Sequence, residues 1–206
     1  MITFMRLFLL LLLSYLPVHV SAEVKNRVLF LGDSLTEGFG INPSQSYPQL
    51  LQKKLQENGF SIKVINSGVS GSTSASAVSR LKWLLQTKPT HLVLALGAND
   101  GLRGQPIKAL RENLKRAILL AKSQGLEVLL LGMRIPPNYG LQYSKDFFDS
   151  YQIIADLTET SLVPFLLKNI AGKANLNLAD GIHPNAKGHI IMAENIYPYL
   201  KVQLQN

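Results

Sequence analysis

A chain of 206 residues fits one compact domain, and a composition of 47% hydrophobic against 17% charged residues excludes wholesale disorder. The absence of cysteine excludes disulfides, lipidation on a thiol and a thiolate nucleophile. The formal net charge of +8 invites an anionic partner, but Lys53, Lys54, Lys82, Lys108, Arg111, Lys115 and Arg116 are scattered along amphipathic segments; they read as solvated helix faces, and no nucleic-acid partner is expected.

In chain order, Met1 to Arg6 carries one positive charge, Leu7 to Leu16 is almost wholly apolar, and Val20-Ser21-Ala22 offers small residues to a signal peptidase. The apolar run is shorter than the ~20 residues a membrane-spanning helix needs. Residues 1–22 therefore read as a secretory signal peptide and 23–206 as the mature domain, periplasmic or secreted.

Apolar strand-like runs then alternate with helix-like segments, the pattern of a parallel α/β sheet. Arg27 to Leu31 reads as a first strand, ended by Gly32-Asp33-Ser34. Ser46-Tyr47-Pro48-Gln49 has the look of a capping box opening a helix that runs to Asn58-Gly59. A second strand, Ile62 to Ile65, is closed by Asn66-Ser67-Gly68; Ala75 to Gln86 reads as a helix and His91 to Leu96 as the third strand. Pro106 to Gln124 is a long amphipathic helix, and Glu127 to Leu131 a fourth strand leading into a long turn-rich stretch from Gly132 to Lys145. Asp146 to Thr160 reads as a helix, Leu162 to Phe165 as a last strand, and Pro184 to Leu200 as the closing helix.

Open parallel sheets carry their sites at the carboxyl ends of the strands. Gly32-Asp33-Ser34, Gly68 to Gly71 and Gly97-Ala98-Asn99-Asp100 each follow a predicted strand and should meet on that edge. A serine nucleophile needs a histidine base, and only three histidines follow the signal segment. His91 starts its strand, on the opposite edge, and His189 sits inside the last helix in a surface or packing role. His183, in Asp180-Gly181-Ile182-His183-Pro184, has a carboxylate three residues upstream. Acyl transfer also requires preorganised donors for an oxyanion, which Gly71 (or Gly68) and Asn99 can supply. Nothing matches Gly-x-Ser-x-Gly, a P-loop, a full Gly-x-Gly-x-x-Gly or His-Glu-x-x-His.

Taken together, Gly32-Asp33-Ser34-Leu35, Gly71, Gly97-Ala98-Asn99-Asp100 and Asp180-x-x-His183 resemble the four blocks of the SGNH or GDSL hydrolases, in order and across nearly the whole mature chain. Gly97 to Gly104, Arg134 to Gly140 and Asp180 to Asn185 are similar to its bacterial periplasmic branch of acyl-CoA thioesterases, arylesterases and lysophospholipases. The resemblance implies a three-layer α/β/α, flavodoxin-like fold. It also implies Ser34 as nucleophile, Asp180 and His183 as its partners, and an oxyanion hole from the Ser34 and Gly71 N–H groups and the Asn99 side chain. Asp33 and Asp100 are rival orienting carboxylates. Ile135, Pro136 and Tyr139 are the expected acyl-chain contacts. The expected substrate is a small acyl ester or thioester, with no metal or organic cofactor, no obligate protein partner and at most transient contact with membrane lipids. Deacetylation of an extracellular polysaccharide, or silent binding of a lipid or glycan, is the alternative.

Overall fold

A computed structural model describes residues 25–205, so the segment read as a signal peptide lies outside the described residues. The elements in chain order are β1 (Asn26–Gly32), α1 (Ser34–Glu37), α2 (Tyr47–Glu57), β2 (Ile62–Gly68), α3 (Ala77–Leu84), β3 (His91–Ala95), α4 (Ala98–Leu102), α5 (Ile107–Ser123), β4 (Glu127–Leu131), α6 (Leu141–Leu157), β5 (Ser161–Val163) and α7 (Ala186–Gln203). The five strands form one parallel sheet in the order β2-β1-β3-β4-β5. This is the flavodoxin-like order. Helix α2 packs with α7, and α5 packs with both α3 and α6, giving three layers.

Strand composition follows from that layering. A strand covered on both faces has no solvent side and reads as a continuous apolar run: every residue of β3 is buried, as are Val28 to Leu31 of β1 and Val128 to Leu131 of β4. The edge strand β2 begins with the alternation of a half-covered strand, Ile62 and Val64 buried and Lys63 exposed.

Several boundaries differ from the expectations. Helix α6 begins at Leu141, not Asp146, which shortens the loop after β4; Leu141 is 80% exposed, so the apolar residue that opens the helix gives no core-facing signal. Helix α7 starts after Asn185, whose side chain accepts from the Lys187 and Gly188 N–H groups, and continues past Pro198 to Gln203. Pro184 is instead paired with Asn177 in an isolated antiparallel bridge. Strand β5 ends at Val163. Ser46 is the N-cap of α2 but does not form the expected capping box, because its hydroxyl donates to the Pro43 carbonyl. Among the described residues no helix is long and apolar enough to cross a membrane.

His189 packs α7 against α2: it is 1% exposed, its Nδ1 accepts the Tyr47 N–H at 3.1 Å, and its ring stacks on that of Tyr47. His91 is also buried, at the amino edge of the sheet, with Nδ1 2.8 Å from the Thr90 hydroxyl. Burial, with a smaller effect from His183, lowers the His189 pKa from 6.5 to about 4. The unfolded chain therefore takes up this proton first, and the stability His189 contributes is complete above pH 6.5 and lost as pH falls to 4. His189→Gln should remove that loss: denaturant unfolding at pH 7 and pH 4 should show the variant losing about 3 kcal/mol less than wild type across the interval. Equal losses in the two proteins would show that His189 does not titrate in this window.

Candidate active site

Register brings the expected residues to one place. Gly32, at the end of β1, pairs with Gly68 of β2 on one side and Ala95 of β3 on the other, so the three chains leave the sheet at the same level. Asp33 then caps α1, its Oδ1 accepting the Leu35 N–H at 3.0 Å. Ser34 is the first residue of that helix, where an N–H has no intrahelical acceptor.

The Ser34 hydroxyl lies 3.0 Å from Nε2 of His183, a residue 149 positions away in the chain. On the other side of the ring, His183 Nδ1 is 2.7 Å from Asp180 Oδ2. An ionised carboxylate only accepts, so Nδ1 carries the proton and Nε2 presents its lone pair to the hydroxyl. The segment bearing this pair is fixed by backbone bonds, with Leu178 N donating to His183 O at 2.7 Å and Asn185 N to Leu176 O at 3.0 Å. Asp180 Oδ1 accepts the N–H groups of Ile182 and His183, both at 3.0 Å. The backbone N–H and the imidazole of His183, with the Ile182 N–H, lower the Asp180 pKa to about 2.

Neither rival carboxylate reaches the imidazole. Asp100 is buried and takes both the N–H and the hydroxyl of Ser74, at 2.8 and 2.6 Å. Asp33 is 1% exposed and its Oδ2 has no hydrogen-bond partner. Burial pushes its carboxyl up to about 6, against the opposing pull of the Leu35 N–H and of His183.

The two candidate glycines behave differently. Gly68 donates its N–H to Asn66 Oδ1 at 3.0 Å, and a Cβ there would lie 2.0 Å from Glu37 N, so its lack of a side chain lets α1 abut the end of β2. Gly71 lines the cavity beside Ser34, with φ of +77°, and its N–H has no acceptor among the described residues. Asn99 lines the same cavity and donates one amide hydrogen to Ser72 O at 3.0 Å, leaving the second for another acceptor.

The cavity holds about 310 Å³ and contains Ser34 and His183 in its wall. Leu102, Met133, Ile135, Pro136, Phe165 and Leu167 make it mainly apolar. Tyr139 is not part of the wall; it sits in a 3-10 turn over Pro137–Tyr139 and is 39% exposed. A residue not anticipated from sequence, Phe39, lays its ring over the His183 imidazole with centroids 4.6 Å apart. Its one signal was a large apolar residue between Gly38 and Gly40 in an otherwise turn-like stretch.

Residues 30–191 match the GDSL-like lipase/acylhydrolase family. The chain is 41% identical to "Esterase TesA" of Pseudomonas aeruginosa over 84% of its length and 87% of the relative's. It is 34% identical to "Thioesterase 1/protease 1/lysophospholipase L1" of Escherichia coli K12 over 84% of this chain and 82% of that one. Among solved structures, the psychrotrophic esterase EstA from Pseudoalteromonas sp., inhibited by monoethylphosphonate, superposes with a TM-score of 0.83 at 38% identity, over 88% of this chain and all of that one.

Asp33 titrates with the opposite sign to His189. Its pKa rises from 3.8 to about 6 on folding, so the folded chain holds the proton more tightly and stability falls as pH rises across that interval. Asp33→Asn keeps an acceptor for Leu35 and has no charge to bury. Relative to wild type, it should be about 3 kcal/mol more stable at pH 7.5 than at pH 3.5 in paired denaturant titrations. A difference that stays constant with pH would show that burial of the carboxylate carries no such penalty.

Proposed function

The chain belongs to the GDSL-like lipase/acylhydrolase family, and we propose that it hydrolyses carboxylic esters and acyl thioesters through an acyl-enzyme on Ser34. The observation that carries this reading is the continuous line from Asp180 Oδ2 to His183 Nδ1 and from His183 Nε2 to the Ser34 hydroxyl, at 2.7 and 3.0 Å, opening into an apolar cavity. Serine is a poor nucleophile until a base takes its proton. His183 accepts that proton as Ser34 Oγ bonds to the acyl carbon, and Asp180 stabilises the resulting imidazolium. The tetrahedral intermediate collapses when His183 returns the proton to the leaving alkoxide or thiolate. Water, deprotonated by His183, then attacks the acyl-enzyme, and a second collapse releases the acid and restores Ser34. The N–H groups of Ser34 and Gly71 and the spare amide hydrogen of Asn99 hold the oxyanion in both halves. Side chains and water complete the proton and electron balance.

An aryl ester and an acyl-CoA should both be turned over, and a fluorophosphonate should add covalently to Ser34. Ser34→Ala should lower kcat by on the order of 10³–10⁶ and abolish labelling. Asn99→Ala should keep the labelled serine but lower kcat by roughly 10²–10³ with little change in KM, because its donor meets charge only in the transition state. A folded Ser34→Ala protein with wild-type turnover would refute the mechanism; turnover of acetylated sugars alone would favour polysaccharide deacetylation.

The acyl chain fits the apolar part of the cavity, where Ile135 is 8% exposed and stands beside Pro136. Ile135→Ala should shift the preferred ester toward longer chains and Ile135→Phe toward shorter ones, each methylene changing kcat/KM by an amount equivalent to roughly 1–3 kcal/mol. An identical chain-length profile in both variants would place the acyl group elsewhere.

A further inference from the structure

A residue that anchors the turn bearing Gly71 lies outside the nucleophile, base and oxyanion donors described above. Val69 to Ser72 is a tight turn closed by Ser72 N donating to Val69 O at 3.1 Å, with Gly71 at its third position and φ of +77°. The turn presents the N–H assigned to the oxyanion, so its place relative to Ser34 must be held for that donor to meet the charge. The turn therefore needs an external restraint.

Side chains from two other elements supply one. Glu37, the last residue of α1, accepts the Ser70 N–H at 2.8 Å on Oε2, and the same oxygen accepts a short bond from the Ser70 hydroxyl. Arg103 holds the far side, donating to Gly71 O at 3.1 Å. Both flanks of the Ser70–Gly71 peptide are thus pinned, while the Gly71 N–H has no acceptor among the described residues. Glu37 is also carried on the helix that starts with Ser34, and α1 sits tightly against the end of β2 at Gly68. One four-residue helix so bears the nucleophile at one end and the restraint on a donor at the other.

We propose that Glu37 is a positioning residue for the oxyanion hole, holding the Val69–Ser72 turn against the helix that carries Ser34 so that the Gly71 N–H stays within reach of the developing charge. This rests on the Ser34 mechanism proposed above. Glu37 touches no reacting atom. Its loss should appear in kcat, with substrate binding and fold intact, because a misdirected donor weakens only the transition state.

The experiment compares wild type with Glu37→Ala and Glu37→Gln by steady-state kinetics on an aryl ester, thermal melting, and the rate of fluorophosphonate addition to Ser34. Glu37→Ala should lower kcat by about 10- to 100-fold, less than the 10²–10³ of an outright lost donor, with KM within about twofold. Its fluorophosphonate rate should fall in parallel, and its melting temperature should stay close to that of wild type. Glu37→Gln should recover most of the lost kcat, since its amide oxygen can accept both bonds that now fall on Oε2. Wild-type kcat in Glu37→Ala, a fall in kcat that tracks melting, or no recovery in Glu37→Gln would each overturn the proposal. Failure of wild type itself to turn over esters or take the label would instead remove the Ser34 mechanism.

Discussion

The site depends on the level at which three strands end. Gly32 pairs with both Gly68 and Ala95, so the turns that follow β1, β2 and β3 leave the sheet side by side and carry Ser34, Gly71 and Asn99 to the same edge. A slip of one residue in this register would turn each strand's side chains to the wrong face and separate the three groups. The alignment also leaves strand-end carbonyls to satisfy, and Arg80 reaches from α3 to donate to Gly32 O and Ser67 O, tying the ends of β1 and β2 together. Gly68 completes the arrangement, because any side chain there would occupy the space of the Glu37 backbone.

Geometry then selects one carboxylate from three. A carboxylate that orients the imidazole must present a free oxygen to it. Asp100 has given both oxygens to Ser74, and Asp33 is buried with its single hydrogen bond made to the Leu35 N–H, out of hydrogen-bond reach of His183. Asp180, partly open to solvent, is held ionised by two backbone N–H groups on Oδ1, which leaves Oδ2 for His183. The local sequence makes this workable: with the imidazole three positions after the carboxylate, one side chain can close its own turn and hold the ring.

Much of this was legible in the sequence, for reasons that also mark where legibility ended. The buried strands read clearly because a parallel sheet covered on both faces admits only apolar residues, and the site blocks followed from the rule that such sheets work at their carboxyl edge. The start of α6 was missed because Leu141 faces solvent, and α1 and α4 were missed because helices of four and five residues are too short to show a period. Tyr139 stands close in sequence to Ile135 and Pro136, which line the cavity, but the turn over Pro137–Tyr139 leaves it outside the cavity wall. Phe39 and Glu37 make contacts with His183 and Ser70, which are distant in sequence, and no local pattern announces such contacts.

Ser34 and His183 stand on separate scaffolds, one on α1 after the first strand and the other on the loop before α7, so the 3.0 Å between them requires the two scaffolds to be held in register. Tyr47 links them. Its hydroxyl is 2.8 Å from the Thr36 hydroxyl on α1, two residues from Ser34. Its backbone N–H donates to His189 on α7, six residues from His183. Tyr47 itself is fully buried, with its ring edge-on to Phe30 of β1, and α2 packs along α7. Close-packed interiors transmit displacement because they hold few voids to absorb it. The first residue of α2 therefore ties the helix that carries Ser34 to the helix that follows His183 through the core, and the distance between Ser34 and His183 is set by packing far from solvent, although Asp180, bonded to His183, is partly open to it.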